Sequence, residues 1–358
     1  MRITPMTAKK LDAKESTMRP VISALVSVMV VLAACALPAH AATLDTVWTN
    51  ADANDSNWDT VGNWDNGVPT GNADLNAVFG ADPSIGDPVV SGEQRFKKLV
   101  FQGAGWTLAG GTIRPKEVQS SGNGVNTIGT FRFNSSTDRT EPIDVAAGNT
   151  LVISDLFRQL GVRLDKRGDG TFVVSGANKG GNRIFLVSDG TMLLNTGTQA
   201  MAYGGSAVRV GDGASLGGIG SISTRNSRRL DVNSGGVLAP GGMDGYGDPF
   251  GTFNYDANSE ADPGGNVLMK NGSTLRIRIG DAVGENSRLV LGSVGAPSLE
   301  LQSDVALGLV GDLATLSGGE YVIASFHSPA IGEFSGVTFN GSESLVAGVT
   351  YGDESIAV

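Results

Sequence analysis

The stretch NSGGVLAPG, residues 233–241, packs a turn, three apolar residues and a second turn into nine positions, and the chain repeats this unit. With Gly235 as the marker and an apolar residue three positions on, the frame recurs as Gly148 with Leu151, Gly170 with Val173 and Gly190 with Leu193. It continues as Gly213 with Leu216, Gly235 with Leu238 and Gly272 with Leu275. The spacings are 22, 20, 23, 22 and 37 residues, the last lengthened by the insertion MDGYGDPFGTFNYDANSEADPGG. An earlier pair, Gly105 with Leu108, lies 43 residues before Gly148, close to two periods. The residues ahead of the six glycines are Ala147, Asp169, Asp189, Asp212, Ser234 and Asn271. All but the alanine are turn formers that tolerate or cap left-handed backbone.

A period of about twenty residues marks stacked repeats, each a single supersecondary unit that buries its apolar face only against its neighbours. The strands are too short and too closely spaced for the hairpins of a large sandwich, and no helical periodicity longer than two turns interrupts them. The fold expected is a right-handed parallel β-helix, a solenoid of the pectin-lyase-like type with β caps at both ends. In it Leu151, Val173, Leu193, Leu216, Leu238 and Leu275 stack as one inward ladder. At about 4.8 Å between strands, roughly ten coils make a rod on the order of 50 Å long. Glycine, 52 of 358 residues, has no three-residue period, so collagen is excluded and these glycines serve turns. The expected organisation is an export signal over 1–41, a Trp-rich strand cap over 42–96 and a coil stack over 97–285 with a loop at 243–265. A closing segment follows over 286–358, where Leu299, Leu301 and Val305 alternate as on a half-buried face.

Residues 18–41, MRPVISALVSVMVVLAACALPAHA, place Arg19 before an apolar run from Val21 to Leu37 and end in the small-x-small site Ala39-His40-Ala41. This pattern reads as a secretory signal cleaved between Ala41 and Ala42, with translation starting at Met1 or Met18. The run is short for a membrane span, so no transmembrane segment is expected in the mature chain. Leu32-Ala33-Ala34-Cys35 also fits a lipoprotein signal, which would tether the protein to a membrane through a lipidated Cys35. Cys35 is the only cysteine, so an exported domain can form no internal disulfide. The formal charge of −10 repels nucleic-acid phosphate and anionic lipid, and neither is expected as a partner.

Two segments carry a resemblance. VWTNADANDSNWDTVGNWDNGVPTGNADLNAVFG contains Trp48, Trp58, Asn63-Trp64, Val68-Pro69, Asp74 and Val78-Phe79-Gly80. GDGASLGGIGSISTRNSRRLDVNSGGVLAPG joins a Leu-Gly-Gly-x-Gly coil to a Gly-Gly-x-Leu-Ala-Pro-Gly coil. Both resemble bacterial autotransporter-associated β-strand repeat proteins, and SGGEYVIASFHSPAIGEFSGVTF is similar to their closing segment. The resemblance spans most of residues 44–358 and implies an exported, passenger-like β-helix, usually without catalysis. Many relatives add a translocating barrel or a sorting tail; the sequence ending VTYGDESIAV shows neither, so self-transport is not expected.

Chemical motifs are few. With His40 in the signal, His327 is the only histidine of the mature chain and sits in a turn-like FHSPAIG; there is no Gly-x-Ser-x-Gly elbow, so no catalytic residue is expected. No Cys-x-x-Cys, His-Glu-x-x-His, Gly-x-Gly-x-x-Gly or Gly-Lys-Ser/Thr motif occurs, so neither zinc nor a nucleotide cofactor is expected. Asp169, Asp189 and Asp212 share the frame position before glycine. Stacked about 5 Å apart they are candidates for calcium or, with Arg209 or Arg228-Arg229, for an acidic catalytic groove; the competing reading is local Asp-Gly turn chemistry. DANDSNWDTVGN fails as an EF-hand loop, with Asn57 and Asn63 where Gly and Glu are required. Trp48, Trp58 and Trp64 are either a sugar-stacking platform or the cover of the solenoid's open end. The function expected is structural or adhesive contact with matrix, glycan or identical neighbours at the cell surface or beyond. The alternative is a carbohydrate-active enzyme or glycan-binding module.

Overall fold

The computed structural model describes residues 44–358 apart from 53–54, 70, 133–139, 158–162, 177, 180–183, 197–199, 202–206, 225–228, 243–247, 258–264, 293–296, 313–318 and 342–347. The export signal, Cys35 and the Ala41–Ala42 junction lie outside the described residues.

The chain winds as a parallel β-helix. A first ladder begins with Leu44–Val47, Asn72–Phe79 and the end of Val89–Phe101, and passes through Glu117–Ser120, Thr140–Val145, Arg163–Arg167, Ile184–Val187, Ala207–Val210 and Leu230–Val232. It ends with Val267–Met269 and Leu299–Leu301. From Asn72–Phe79 onward, each of these strands is followed by a connection into a second ladder, which includes Thr107–Arg114, Gly124–Arg132, Asn149–Phe157, Thr171–Val174 and Thr191–Leu194. It continues with Ser215–Gly218, Val237–Pro240, Thr274–Arg278, Ala306–Val310 and Gly336–Phe339. Val89–Phe101 is long enough to serve both ladders, and the domain boundary expected near residue 96 falls inside it.

A third ladder joins Ala200–Met201, Ser221–Thr224, Thr252–Ala257, Arg288–Leu291 and Val322–Ser325 in parallel. Antiparallel Ser355–Ala357 and Thr350–Tyr351 close it. Thr252–Ala257 lies within the loop expected at 243–265. Its alternating Phe253 and Tyr255 are both fully buried, so this part of the insertion is one side of a coil.

The inward row of the second ladder corrects the expected one. The register pairs Leu151 with Phe172, Phe172 with Met192, Met192 with Leu216, Leu216 with Leu238 and Leu238 with Leu275. Val173 and Leu193 therefore face outward, although both are buried. The frame holds where the glycine three residues ahead of the inward side chain has left-handed backbone, as at Gly148, Gly213, Gly235 and Gly272. In the coil containing Gly170 the left-handed residue is Gly168, and the turn before Thr191–Leu194 is one residue shorter. A shift of one residue in a strand moves a side chain to the opposite face.

The first strand is shielded rather than left as an open edge. Val47 N donates to Asp65 Oδ1 at 2.6 Å, Asp65 N donates to Val47 O at 3.1 Å, and Asn66 Nδ2 donates to Asp45 O at 3.0 Å. The Asn-Trp-Asp-Asn segment thus occupies backbone groups that would otherwise template pairing with another chain.

Candidate functional site

The three cap tryptophans are buried, with relative exposures of 1%, 0% and 4% for Trp48, Trp58 and Trp64. Trp64 meets Trp48 and Trp58 edge to face at ring-centroid distances of 5.2 and 4.7 Å, and Trp58 stacks on Phe96 at 5.7 Å. Trp48 Nε1 donates to Gly86 O and Trp64 Nε1 to Trp58 O. With their faces used by one another, these rings offer no platform to a sugar. They cover the end of the core, the second of the two readings of this motif. Asn63 organises the adjoining DANDSN segment: its Oδ1 accepts from Asp52 N, and its Nδ2 donates to Asp55 O and Asn57 O. The Asp55 carboxylate accepts from Thr60 Oγ1 and Asn57 N, which hold its pKa below the usual value.

Asp169, Asp189 and Asp212 are exposed at the turns between the first and second ladders. Because the turn lengths differ, they do not form one register row: Gly170 and Gly190 precede the paired Thr171 and Thr191, which aligns Asp169 with Asp189, while Asp212 stands one position further from its strand. Among the described residues no group of three or more His, Cys, Asp or Glu side chains has the geometry of a metal site. Arg209 lies in the outer row of the first ladder between Leu186 and Asp231, and Arg229 Nε is 2.6 Å from Asp231 Oδ1. Arg228 lies outside the described residues. His327 is exposed in a bend after Val322–Ser325.

Sequence reading missed the cation beneath this turn stack. Lys166 pairs in register with Ile143 and Val187, in the apolar inward row, and is fully buried. Its Nζ donates to three backbone carbonyls of two successive turns: Arg167 O at 2.9 Å, Gly168 O at 2.5 Å and Asp189 O at 3.0 Å. Burial pulls its pKa down to about 8, opposed by the charges of Asp144, Asp189, Asp169 and Asp165. Lys166 therefore serves as an internal counter-charge and staple for the acidic turns.

The concavity that suits a ligand lies on the outer face of the second ladder. Its outer row runs from Leu193 to Gly217 to Ala239 in register, and Arg276 continues it, since Ala239 and Arg276 each follow the paired Leu238 and Leu275. Side-chain size along that row goes from large to none to one methyl to long, which leaves a hollow of about 250 Å³. Gly217 cannot fill it, because a Cβ there would lie 2.0 Å from Ala239 O. Thr191 and Ser215 add hydroxyls to one side; Arg276, Arg278 and Val310 line the other. Pro240, Gly241 and Gly242 form the rim, fixed by reciprocal hydrogen bonds between Gly218 and Gly241 of 3.0 and 2.9 Å. Arg276 is exposed and forms no ion pair with any described residue, whereas Arg278 is half-buried. A second outer row, Thr150, Thr171, Thr191 and Ser215, stacks hydroxyls coil by coil up to this hollow, all partly exposed.

Comparison with protein-family models, curated proteins and solved structures found no match to this chain. Among the described residues no helix is long and apolar enough to cross a membrane.

Proposed function

We propose that this is an exported, non-enzymatic β-helical protein that makes structural or adhesive contacts at the cell surface or in the extracellular matrix. The observation that carries this reading is the outer face of the second ladder. Thr150, Thr171, Thr191 and Ser215 repeat a short hydroxyl side chain at the coil spacing and lead into the Arg-lined hollow. A rigid row of evenly spaced hydroxyls matches a partner that is itself repetitive, such as a glycan or matrix polymer. Little ordering cost falls on the protein side of such a contact. The signal-like N-terminus and the resemblance to autotransporter-associated repeat proteins support export and display.

The test is saturable binding of the protein to isolated cell-envelope and matrix polysaccharide. Replacing Thr150 and Thr171 together by lysine is expected to reduce binding at least fivefold with an unchanged melting temperature. Unchanged binding would remove the contact face from the reading, and release of new reducing ends from the polysaccharide by the wild-type protein would replace adhesion with catalysis.

A further inference from the structure

We infer that two copies of this chain pair side by side through their N-terminal coils, the aspartate-rich cap of each lying against an arginine row of the other. The inference goes beyond the contact-face reading and does not rest on it.

The distribution of charge along the chain is the first observation. Residues 44–92 hold eight aspartates and no lysine or arginine, and residues 289–358 hold eight acidic side chains and again no lysine or arginine. Every lysine and arginine after position 41 falls between Arg95 and Arg288. The ends of two such solenoids repel one another, and the edge of the first strand is already occupied by Asp65 and Asn66. Asp45, Asp55, Asp59, Asp65, Asp82 and Asp87 are held by neutral donors, such as Asn76 Nδ2 for Asp45 and Thr107 N for Asp87. Those hydrogen bonds fix the carboxylates without cancelling their charge.

The counterpart stands a few strands further on, at the outer face of the second ladder. Arg95 lies in register with Arg114, and the pairing of Ile113 with Phe131 sets Arg114 beside Arg132. All three guanidinium groups share the carboxylate of Glu93, at 2.6, 2.6 and 3.5 Å. Thr112 and Thr130 continue the Glu93 row and bring no further carboxylate to it. Every arginine of the row thus has a partner, yet one negative charge against three leaves a positive excess. Arg114 is buried and acts through its charge alone, whereas the side chains of Arg95 and Arg132 are 55% and 40% exposed. Ion pairs that exposed are worth little and rearrange at low cost.

The two patches share one face. Asn57 bridges to Val89 in parallel, and the exposed Asp59, two residues on, accepts hydrogen bonds from Ser91 Oγ and Gln94 Nε2. Asp59 therefore stands about three strand spacings, or about 14 Å, from Arg132 along the axis. A face that carries both signs at such a separation is self-complementary under a two-fold axis. Asp59 of each copy meets Arg95 and Arg132 of the other, and the contact made twice closes the pair. An acidic C-terminal end docked on the arginines would make its contact once and leave the assembly open to growth. The side-by-side pair also leaves Thr150, Thr171, Thr191 and Ser215 of each copy, which lie beyond Arg132 on this face, outside the contact.

The experiment is sedimentation velocity of the mature protein at about 100 μM, tenfold above a Kd of about 10 μM. It is run in about 0.1 M NaCl, where charges act over about 10 Å, and in about 1 M, where they act over about 3 Å. Dimer at low salt and monomer at high salt is the expected result. Arg95→Glu with Arg132→Glu, and separately Asp59→Lys, are each expected to be monomeric at low salt with an unchanged melting temperature. An equimolar mixture of the two variants is expected to recover a heterodimer, because both contacts again join opposite charges. Asp59 bonds only to side chains, so its variant keeps the test valid should the arginine pair prove necessary for folding. A monomeric wild type at low salt, a dimer that persists in 1 M NaCl, or dimers of Asp59→Lys as stable as the wild type would overturn the inference. Species larger than a dimer, or a mixture of folded variants that stays monomeric, would overturn the closed two-fold pairing.

Discussion

At the scale of single residues, the least expected group is Lys166. A leucine or valine would satisfy its place in the inward row, yet its ammonium sits among three carbonyls with acidic turns above it. Asp144, Asp165, Asp169 and Asp189 are the charges that act on it. Its pKa in the folded chain, about 8, lies below the ordinary 10.5, so between those values the unfolded chain binds the extra proton. Stability contributed through this group therefore rises as pH climbs from about 8 towards 10.5. Tyr255, whose phenol burial pushes above its ordinary 10.0, acts in the opposite sense, but only at higher pH. Urea midpoints measured from pH 7.5 to 9.5 are expected to rise for the wild type and to stay flat for Lys166→Met. A parallel rise in both would show that Lys166 is not the titrating group.

At the scale of turns and strands, apparently equivalent glycines have different obligations. Gly168 and Gly213 share left-handed backbone, with φ of 72° and 70°. A Cβ at Gly213 meets nothing within 4 Å, whereas one at Gly168 would lie 2.4 Å from Val145 O and 2.5 Å from Asp144 Oδ1. Gly213→Ala is expected to cost roughly 1 kcal/mol from backbone strain. Gly168→Ala is expected to cost at least twice as much, because the neighbouring coil must move; equal urea midpoints for the two variants would contradict this. The same contrast explains what the sequence discloses. Spacing alone reveals the coil and the inward Leu151, Leu216, Leu238 and Leu275, because glycine followed three residues later by leucine is a local signal. It misplaces Val173 and Leu193, since a turn one residue shorter, or a left-handed glycine two residues earlier, leaves no mark in an apolar strand such as TFVV or TMLL. Thr252–Ala257 is hidden by the Gly, Asp and Pro residues around it. The hollow is illegible for a different reason: Leu193, Gly217, Ala239 and Arg276 are spread over 84 positions and become neighbours only through register.

At the scale of the molecule, the long second-ladder strands Gly124–Arg132 and Asn149–Phe157 continue past the two-ladder section. Leu156 and Phe157 pair with Asn178 and Lys179, ahead of the third ladder that starts at Ala200–Met201. The core changes along the same direction. All four tryptophans lie within the first 106 residues and are buried at the N-terminal end, packed with Phe79, Phe96 and Phe101. The remaining coils are filled mainly by aliphatic side chains. Each coil of a solenoid touches only its neighbours, so damage at one end is felt fully there and weakly a few coils away. Trp58→Ala removes a wholly buried ring, a loss of about 3–5 kcal/mol in a packed core. Tryptophan fluorescence reports this end alone, while far-ultraviolet circular dichroism reports every ladder. In the variant the fluorescence transition is expected to move to lower urea, with most of the dichroism amplitude still lost near the wild-type midpoint. Coincident transitions, both shifted by the same amount, would mean that the cap and the aliphatic coils form one cooperative unit. The end cover formed by Trp48, Trp58 and Trp64 would then set the stability of the face that carries Arg276.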